Sequence, residues 1–387
     1  DAKKLVAESD KERAALDSTF WSPEKQIYAF AVDNQNKRMD EASVLATVPM
    51  WFGLVDEKNA NTMISKLAGH EHATDWGMRI LSSKSPIYSG AGYHFGSVWP
   101  LFTGWAAVGE YRYHREQPGY ANLRANALLG LNGSPGHVTE VLSGDYYQTL
   151  STASPHQIWS AAMVISPVLR GMLGLQIDAK SRKLTFSPHL PAAWSGVGIK
   201  DIRVDDSRIS LSLKRTEGSL TLEMNNAGGK DEYTLDFRPA ISARAKVTKA
   251  ELDGKPVAFK LEATKNDQHI ALRIPLRSEK AILRVAVAND FAVDISSNPP
   301  ELGKESEGLR LLSESWSATK DRLDMEVSGA TGHTYLLDIW NGGQIAKVEG
   351  ATLVPATREE WTHLSVKVPE SSERYAMAHI VIQFKTK

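Results

Sequence analysis

The sequence contains no cysteine in its 387 residues. Disulfide bonds, thiolate catalysis, cysteine-bound zinc and iron–sulfur clusters are therefore excluded together. It also lacks any run of about 18 consecutive apolar residues, so no membrane-spanning helix is expected. Neither charge is in excess, with 45 basic and 46 acidic residues, which argues against nucleic acid as the main partner. Nucleotide-binding glycine motifs of the GxGxxG and GxxxxGK[ST] types are missing as well.

These absences do not locate the protein in the cell. A cysteine-free protein can be periplasmic or secreted if it is stable without disulfides, and it can equally be cytoplasmic. The first residue is Asp1 and not Met, which predicts a processed product or a designed fragment. At about 100–200 residues per domain, the length predicts two or three domains.

The composition changes near Gly174. Residues 1–173 hold six of the ten tryptophans and six of the eleven histidines, and their apolar residues recur at helical spacing. Residues 174–288 alternate apolar and polar side chains, which predicts an antiparallel β-sandwich. The pair Asp253-Gly254 between apolar residues predicts a hairpin turn. Residues 289–387 begin with SSNPPELGKESEG, typical of a linker or long loop, and then predict a second, smaller all-β module.

About six helices are expected in residues 1–173. One of them, ASVLATVPMWFGLV from Ala42, is apolar nearly all round and should be buried. Pro49 should kink this helix or lie at its start.

Two loop segments, residues 74–100 and 133–160, are rich in glycine, serine and aromatic residues. Aromatic faces cover the C–H patches of sugars, and planar polar groups pair with sugar hydroxyls, so these loops are candidates for sugar binding. The alternative is that the aromatic side chains cap an ordinary core. The candidate substrate-binding residues are Trp76, Arg79, Tyr93, His94, Trp99, Asp145 and Trp159.

Two carboxylates and one guanidinium in these loops each have more than one possible role. Glu140 lies in a loop containing Gly and Pro, 16 residues before an apolar helix, so it is either catalytic or a solvated loop residue. Asp145 can orient Glu140 or bind a sugar hydroxyl. Arg79 can clamp hydroxyls or a carboxylate, and a structural role fits it equally.

Motifs in both loops resemble those of a known enzyme family. HVTEVLSGD, followed by SPHQIWSAAMVISPVLRGMLGL, resembles the terminal segment of the glucoamylase and amylo-α-1,6-glucosidase (glycogen debranching) glycosidases. DWGMRILS, followed by YHFGSVWP, is similar to a second stretch of the same enzymes, in the same order and at a similar spacing. The resemblance covers roughly residues 70–175.

The resemblance implies an α+β multidomain protein: a partial (α/α)6 helical toroid followed by antiparallel β-sandwich modules. It also implies an inverting glycoside hydrolase that acts on α-glucosidic bonds of an oligosaccharide or polysaccharide and needs no cofactor or metal. In such enzymes an acid protonates the glycosidic oxygen and a carboxylate activates water from the opposite face. By its position in the motif, Glu140 matches the general base.

The sequence departs from the family in two respects. A closed toroid has twelve helices, whereas about six are expected here, and no residue matches the motif of the general acid. Asp75 and Asp40 are the acidic residues best placed near the loops, yet neither fits that motif. We therefore expect a C-terminal portion whose partner is the upstream half of the same catalytic domain. Without that half, the apolar residues of the segment Val44–Val55 should be exposed.

Other groupings favour ordinary roles. Glu110 and His114 are four residues apart, which favours an ion pair on one helix face over a metal site. His70 and His72 have no third ligand at a telling spacing, so zinc is not expected there. Two rivals to the main prediction remain: the same fold acting on rhamnose, mannose or trehalose, and a non-catalytic carbohydrate-binding or assembly protein.

Overall fold

The computed structural model describes residues 1–228, 232–276, 280–295, 297–354 and 361–385. It shows an α+β protein of several domains, as predicted, with the helices concentrated before residue 173. The α-helices are α1 (Ala2–Phe20), α2 (Val48–Trp51), α3 (Glu57–Leu67), α4 (Pro100–Arg112), α5 (Glu116–Leu129) and α6 (Ile158–Ser166). A π-helix at Pro167–Met172 continues α6, and 3-10 turns lie at Val44–Thr47 and Gly342–Gln344.

Local sequence explains where these helices begin. The Asp56 side chain accepts a hydrogen bond from the Asn59 backbone N–H at 3.0 Å and so caps α3. Pro100 opens α4, at a position where its missing N–H costs no intrahelical bond. Helix α1, in contrast, has no buried residue.

The expected exposure of the segment Val44–Val55 is wrong. Val44 and Met50 are fully buried and Val55 nearly so, because this chain's own residues cover them, among them the neighbouring α3 and α4. Phe52 is the exposed exception. The segment is not one helix but a 3-10 turn followed by the short α2, with Pro49 in its first turn. The proline was therefore predicted correctly to mark a helix start.

The N-terminal part also contains three two-stranded hairpins, which lie in the loops between the helices. Their strands are β1 (Trp21–Ser22), β2 (Ile27–Tyr28), β3 (Ala31–Val32), β4 (Arg38–Met39), β5 (Ala73–Thr74) and β6 (Gly77–Met78). The turn of the β5–β6 hairpin carries Asp75 and Trp76, two of the residues singled out in the sequence.

Two six-stranded sheets follow the helices and enclose one apolar core. Their strands are β7 (Gln176–Asp178), β8 (Lys183–Phe186), β9 (Gly196–Val204), β10 (Ser207–Thr216), β11 (Ser219–Gly228), β12 (Tyr233–Phe237), β13 (Ala240–Ser242), β14 (Lys246–Leu252), β15 (Lys255–Pro256), β16 (Lys260–Ala263), β17 (Asp267–Leu276) and β18 (Ala281–Ala288). One sheet has the order β15-β14-β18-β11-β10-β9, and the other has the order β13-β17-β12-β8-β7 with β16 beside β17.

The sequence pattern accounts for this sandwich with one exception. Strand β10 buries Ile209, Leu211 and Leu213 on one face, as strict alternation predicts. Asp253 and Gly254 form the β14–β15 turn with φ values of 49° and 80°, as the Asp-Gly pair predicts. The exception is that β8 and β12 pair in parallel, so the sheet is not purely antiparallel.

Two four-stranded sheets in the C-terminal part enclose a separate core. Their strands are β19 (Ala292–Asp294), β20 (Arg310–Trp316), β21 (Arg322–Ala330), β22 (Thr334–Trp340), β23 (Ile345–Glu349), β24 (Thr352–Val354), β25 (Trp361–Lys367) and β26 (Tyr375–Phe384). The sheet orders are β19-β22-β25-β24 and β20-β21-β26-β23, and every pair is antiparallel.

The segment predicted as a linker is bound to the helical part. Ser296 lies outside the described residues, and the rest of the segment runs to β20 without a strand. The Tyr147 N–H donates to the Lys304 carbonyl at 2.8 Å, and the Gly303 N–H donates to the Tyr147 carbonyl at 3.0 Å. At its end, Arg310 forms a buried ion pair with Asp75 at 2.6 Å. These contacts attach the C-terminal sheets to the loops of the helical part.

Helix α6 exposes much of its apolar surface. Ile158 and Ile165 are 75% and 59% exposed, although α6 is strongly apolar throughout. Its length of nine residues is far below what a bilayer requires. Within the described ranges, no helix combines the length and apolarity needed to cross a membrane.

Candidate active site

Glu140 is held in one orientation by the loop in which it lies. Its backbone N–H donates to the Ser154 carbonyl at 2.9 Å, and the Ser154 N–H donates back to Glu140 Oε2 at 2.9 Å. The Tyr93 hydroxyl donates to the other oxygen, Oε1, at 2.7 Å. Two donors from two different loops therefore fix both carboxylate oxygens.

These hydrogen bonds favour the ionised carboxylate. The Ser154 N–H, followed by the Tyr93 hydroxyl, holds the pKa of Glu140 below its ordinary value. The same bond to Glu140 raises the pKa of Tyr93 to about 12. Among the described residues, no lysine, arginine or histidine forms an ion pair with Glu140. The carboxylate is therefore negatively charged at neutral pH and not neutralised by a cation, as a general base must be.

Close approach of the two predicted loops brings Tyr93 to Glu140. Val98 and Leu142 exchange two backbone hydrogen bonds of 2.9 Å, which join the loops like a short stretch of sheet. A Cβ on Gly144 would lie 2.0 Å from the Gly96 carbonyl oxygen. Glycine is thus required at Gly144 because the two backbones come so near each other, which explains part of the glycine richness of these loops.

A row of aromatic rings extends from Glu140. Tyr93, His94 and Trp99 contact one another, with ring centroids 4.7–5.9 Å apart. Phe102 and Trp105 continue the row along α4, at 5.4 and 5.2 Å between successive centroids. His94 is exposed, while Tyr93, Phe102 and Trp105 are half-buried. We call these five residues the aromatic row; it offers flat apolar faces beside an anionic oxygen.

Three predicted sugar-binding residues are buried, and one of them, Trp99, belongs to the aromatic row. Trp76 is fully buried, and its indole N–H donates to the Ser143 carbonyl at 2.9 Å. The guanidinium of Arg79 is buried and donates to the carbonyls of Gly144 and His70, both at 2.7 Å. Trp99 is nearly buried beneath Tyr93 and His94 and supports them from behind. Trp76 and Arg79 therefore have structural contacts, which do not support their prediction as sugar contacts and which fit the alternative structural role of Arg79.

The other two candidates keep some access to solvent. Asp145 is half-buried and accepts a hydrogen bond from the Tyr88 hydroxyl at 2.7 Å; no hydrogen bond among the described residues joins it to Glu140. Trp159 is 40% exposed on α6 and makes no ring contact with the described aromatic residues. Trp159 therefore lies near the Glu140 loop in sequence, at the start of the exposed helix, but outside the aromatic row.

Four residues of this site were not predicted from the sequence. Ser154 and Gln157 both hold the pKa of Glu140 down, and Gln157 stands in the very motif that carries the family resemblance. Phe102 and Trp105 are three residues apart in α4, a spacing that places them on one helix face. From that spacing, the continuation of the aromatic row along α4 could have been predicted.

The other acidic and histidine residues singled out in the sequence have contacts outside this site. Glu110 is buried and accepts hydrogen bonds from the Asn122 amide, and burial raises the pKa of Glu110 to about 7. The predicted Glu110–His114 ion pair is wrong, because α4 ends at Arg112 and His114 has a φ of 56°. The His70 ring stacks on Tyr375 at 3.7 Å, which leaves it in the core.

A test of the Glu140 environment needs no substrate. Replacing Tyr93→Phe removes the hydroxyl donor from Oε1, so the pKa of Glu140 should rise toward its ordinary value. The carboxyl carbon signal of Glu140, followed by ¹³C NMR across a pH titration, measures this directly. Tyr88→Phe is the matched control, because Tyr88 donates to Asp145 instead, and it should leave the titration of Glu140 unchanged. An unshifted titration in Tyr93→Phe would show that the hydroxyl does not stabilise the charge.

A protein-family model matches the N-terminal part of the chain. Residues 1–162 match the family model described as "Mannosylglycerate hydrolase MGH1-like glycoside hydrolase domain". This region contains both loops and Glu140, so the N-terminal part of the chain is similar to a glycoside hydrolase domain. The narrower glucoamylase or debranching type is not confirmed by this match. No curated protein matches the sequence.

Solved structures of several glycosidases resemble parts of the chain. The α-L-rhamnosidase from Dictyoglumus thermophilum has a TM-score of 0.47 and 12% identity, over 73% of this chain and 28% of its own. The GH63 mannosylglycerate hydrolase from Thermus thermophilus has a TM-score of 0.33 and 17% identity, over 40% and 36% of the two chains. A neutral trehalase from Saccharomyces cerevisiae has a TM-score of 0.31 and 18% identity, over 40% and 28%. This chain thus spans about a third or less of their lengths.

Proposed function

We propose that the protein is an inverting glycoside hydrolase in which Glu140 is the general base. The observation that carries the proposal is the Glu140 carboxylate itself. It is ionised, fixed through both oxygens, free of any cation among the described residues, and next to the aromatic row. The match of residues 1–162 to a glycoside hydrolase family supports the same reaction class.

The proposed chemistry follows from these features. Glu140 removes a proton from a water molecule, and the water oxygen forms a bond to the anomeric carbon of the sugar. The bond from that carbon to the glycosidic oxygen breaks on the opposite face, and a general acid protonates the departing oxygen. The anomeric configuration is inverted, because attack and departure occur on opposite faces. The solvent-accessible rings of the aromatic row, which exclude Trp99, hold the sugar by its C–H faces.

Neither Asp75 nor Asp40 is suited to be the general acid. Asp75 is buried against Arg310, and Asp40 is paired with Lys25 at 2.9 Å. We propose that the acid comes from an upstream helical half of the same catalytic domain. The exposed apolar residues Ile158, Trp159 and Ile165 of α6 support this, since such a surface is normally covered in a folded domain. Helix α6 also begins directly after Gln157, a residue that lowers the pKa of Glu140, so its exposed surface starts beside Glu140.

An α-glucosidic bond is the proposed target, on the strength of the loop motifs. Mannosylglycerate is a second candidate substrate, because the matching family is described by that activity. Rhamnosides and trehalose are the remaining candidate substrates, because one fold can serve enzymes for several sugars.

The experiment is a hydrolysis assay of the longer gene product that contains this sequence with its upstream residues. The substrates are maltooligosaccharides, mannosylglycerate, trehalose and an aryl rhamnoside. We expect release of one of these sugars by the longer protein, and binding without turnover by residues 1–387 alone. A longer protein that hydrolyses none of them, but binds maltooligosaccharides, would favour a carbohydrate-binding protein instead.

A further inference from the structure

Four side chains from three separate parts of the sequence converge at the junction of the helical part and the first sandwich. His114 follows α4, His189 follows β8, and Asp267 and His269 lie on β17. One ligand-type atom from each lies within 4.8 Å of the other three. Asp267, His189 and His269 are buried, whereas the His114 side chain is 30% exposed. This cluster, which we call the three-histidine cluster, is outside the candidate active site.

Four distances within the cluster are close to the edges of a tetrahedron around a small cation. Asp267 Oδ2 lies 3.2 Å from His114 Nδ1 and 3.5 Å from Nε2 of both other histidines. His114 Nδ1 and His269 Nε2 are 3.2 Å apart. For zinc with bonds of about 2.0–2.1 Å, the ligand atoms of a regular tetrahedron are separated by ~3.3–3.4 Å. Four of the six distances among these atoms are therefore close to those between metal ligands, and the other two are no longer than 4.8 Å.

Surrounding groups turn the correct atoms inward. The His269 Nδ1–H donates to the Arg238 carbonyl at 2.7 Å, which leaves the Nε2 lone pair directed at the cluster. The Thr264 hydroxyl donates to Asp267 Oδ1 at 2.7 Å, so the other carboxylate oxygen, Oδ2, faces the histidines. Such outer contacts to a carbonyl and a hydroxyl are typical of metal-binding histidine and aspartate.

His189 provides an independent indication. Its ring is buried, and neither nitrogen makes a hydrogen bond within the described part of the chain; the acceptor Asp267 Oδ2 lies 3.5 Å from Nε2. An unsatisfied buried ring nitrogen is costly and uncommon, so it requires an explanation. A metal ion bound to Nε2 supplies the missing partner.

We propose that the three-histidine cluster binds one divalent transition-metal ion, with Zn²⁺ as the best fit. Imidazole nitrogens and a single carboxylate oxygen suit zinc better than they suit magnesium or calcium, which prefer oxygen ligands. Four protein ligands leave no open position, so the ion has a structural role. It ties the end of α4 to the loop after β8 and to strand β17. Because His114 is partly exposed, the ion can enter from that side.

Metal titration of the chain tests this proposal. Protein stripped with a chelator should bind about one Zn²⁺ per chain by calorimetry, and Co²⁺ should give the visible absorption of a four-coordinate site. Zinc should also raise the thermal midpoint. In His189→Ala the affinity should fall roughly 100-fold or more, and zinc should no longer raise the midpoint. His333→Ala is the control, because His333 is exposed in the C-terminal part, far from the cluster in sequence.

Two outcomes would overturn the proposal. One is that stripped wild-type protein takes up no stoichiometric zinc; the other is that His189→Ala binds it as tightly as the control. If His189→Ala does not fold, His114→Ala serves instead, because that side chain is partly exposed and its loss leaves the core packed. None of these readouts depends on glycoside hydrolysis, so the metal site and the proposed function can fail separately.

Discussion

Glu140→Gln should lower kcat for sugar release by about 10²–10⁴-fold, the usual contribution of a general base. Glutamine has the shape of glutamate, and its amide can accept from the Ser154 N–H and donate to the Tyr93 oxygen. The fold and the sugar affinity should therefore persist while proton removal from water is lost. The measurement is steady-state kinetics of the longer gene product, with calorimetry for sugar binding.

Asp145→Asn is the matched control for this substitution. Asp145 lies in the same loop but is hydrogen-bonded to Tyr88, so its amide variant should keep kcat within about tenfold of wild type. If Glu140→Gln changed only the affinity and left kcat intact, Glu140 would be a sugar-binding residue and the hydrolase mechanism would be wrong.

Asp75→Asn should lower the free energy of unfolding by about 3–5 kcal/mol, because it leaves the buried Arg310 guanidinium without a counter-charge. The Asp75 carboxylate accepts from Arg310 at 2.6 Å, from the Ser297 and Ser306 hydroxyls, and from two backbone N–H groups. Chemical denaturation followed by tryptophan fluorescence measures the loss. The control is Asp40→Asn, which removes a partly exposed pair with Lys25 and should cost no more than about 1 kcal/mol.

The same carboxylate predicts a pH dependence. Burial alone would raise the pKa of Asp75, but the charge of Arg310 and the hydrogen bonds outweigh burial and lower the pKa to about 2. An unfolded aspartate has a pKa of about 3.9. A lowered pKa in the folded state means that this stabilisation is complete above pH ~4 and is lost as the pH falls toward 2. The unfolding free energy of Asp75→Asn should lack this pH-dependent contribution. If the wild type and Asp75→Asn lost stability equally as the pH fell, the lowered pKa of Asp75 would be contradicted.

Local patterns in the sequence were sufficient for much of the fold. Alternation predicted β10, and the Asp253-Gly254 pair predicted the β14–β15 turn, because neighbouring residues alone determine both features. The segment Val44–Val55 was misjudged for the opposite reason. Its burial depends on how α3 and α4 fold back onto it, and periodicity contains no information on that tertiary contact.

The candidate site was predicted in part. Glu140 and Tyr93 came from motifs that resemble a glycosidase family, and the structure brings them into contact. Composition could not separate Trp76, which faces inward, from aromatic rings at the surface. Likewise, the spacing of Glu110 and His114 assumed a helix that continues, whereas the chain turns at His114 and directs its ring toward Asp267.

The three-histidine cluster lay beyond prediction for a related reason. Its ligands are separated by 75 residues between His114 and His189 and by 78 residues between His189 and Asp267, counted from their positions in the chain. Only the pair Asp267 and His269, two apart on one strand and therefore on one face, gave any local signal.

Azide rescue of Glu140→Ala is the most direct test of the general base. Removing the side chain leaves room beside Tyr93 and Ser154 for a small anion that attacks the sugar without needing a base. With an activated glycoside, azide should restore turnover and yield a glycosyl azide of inverted anomeric configuration, identified by NMR. If azide restores nothing, or yields a product of retained configuration, then Glu140 does not activate the attacking water.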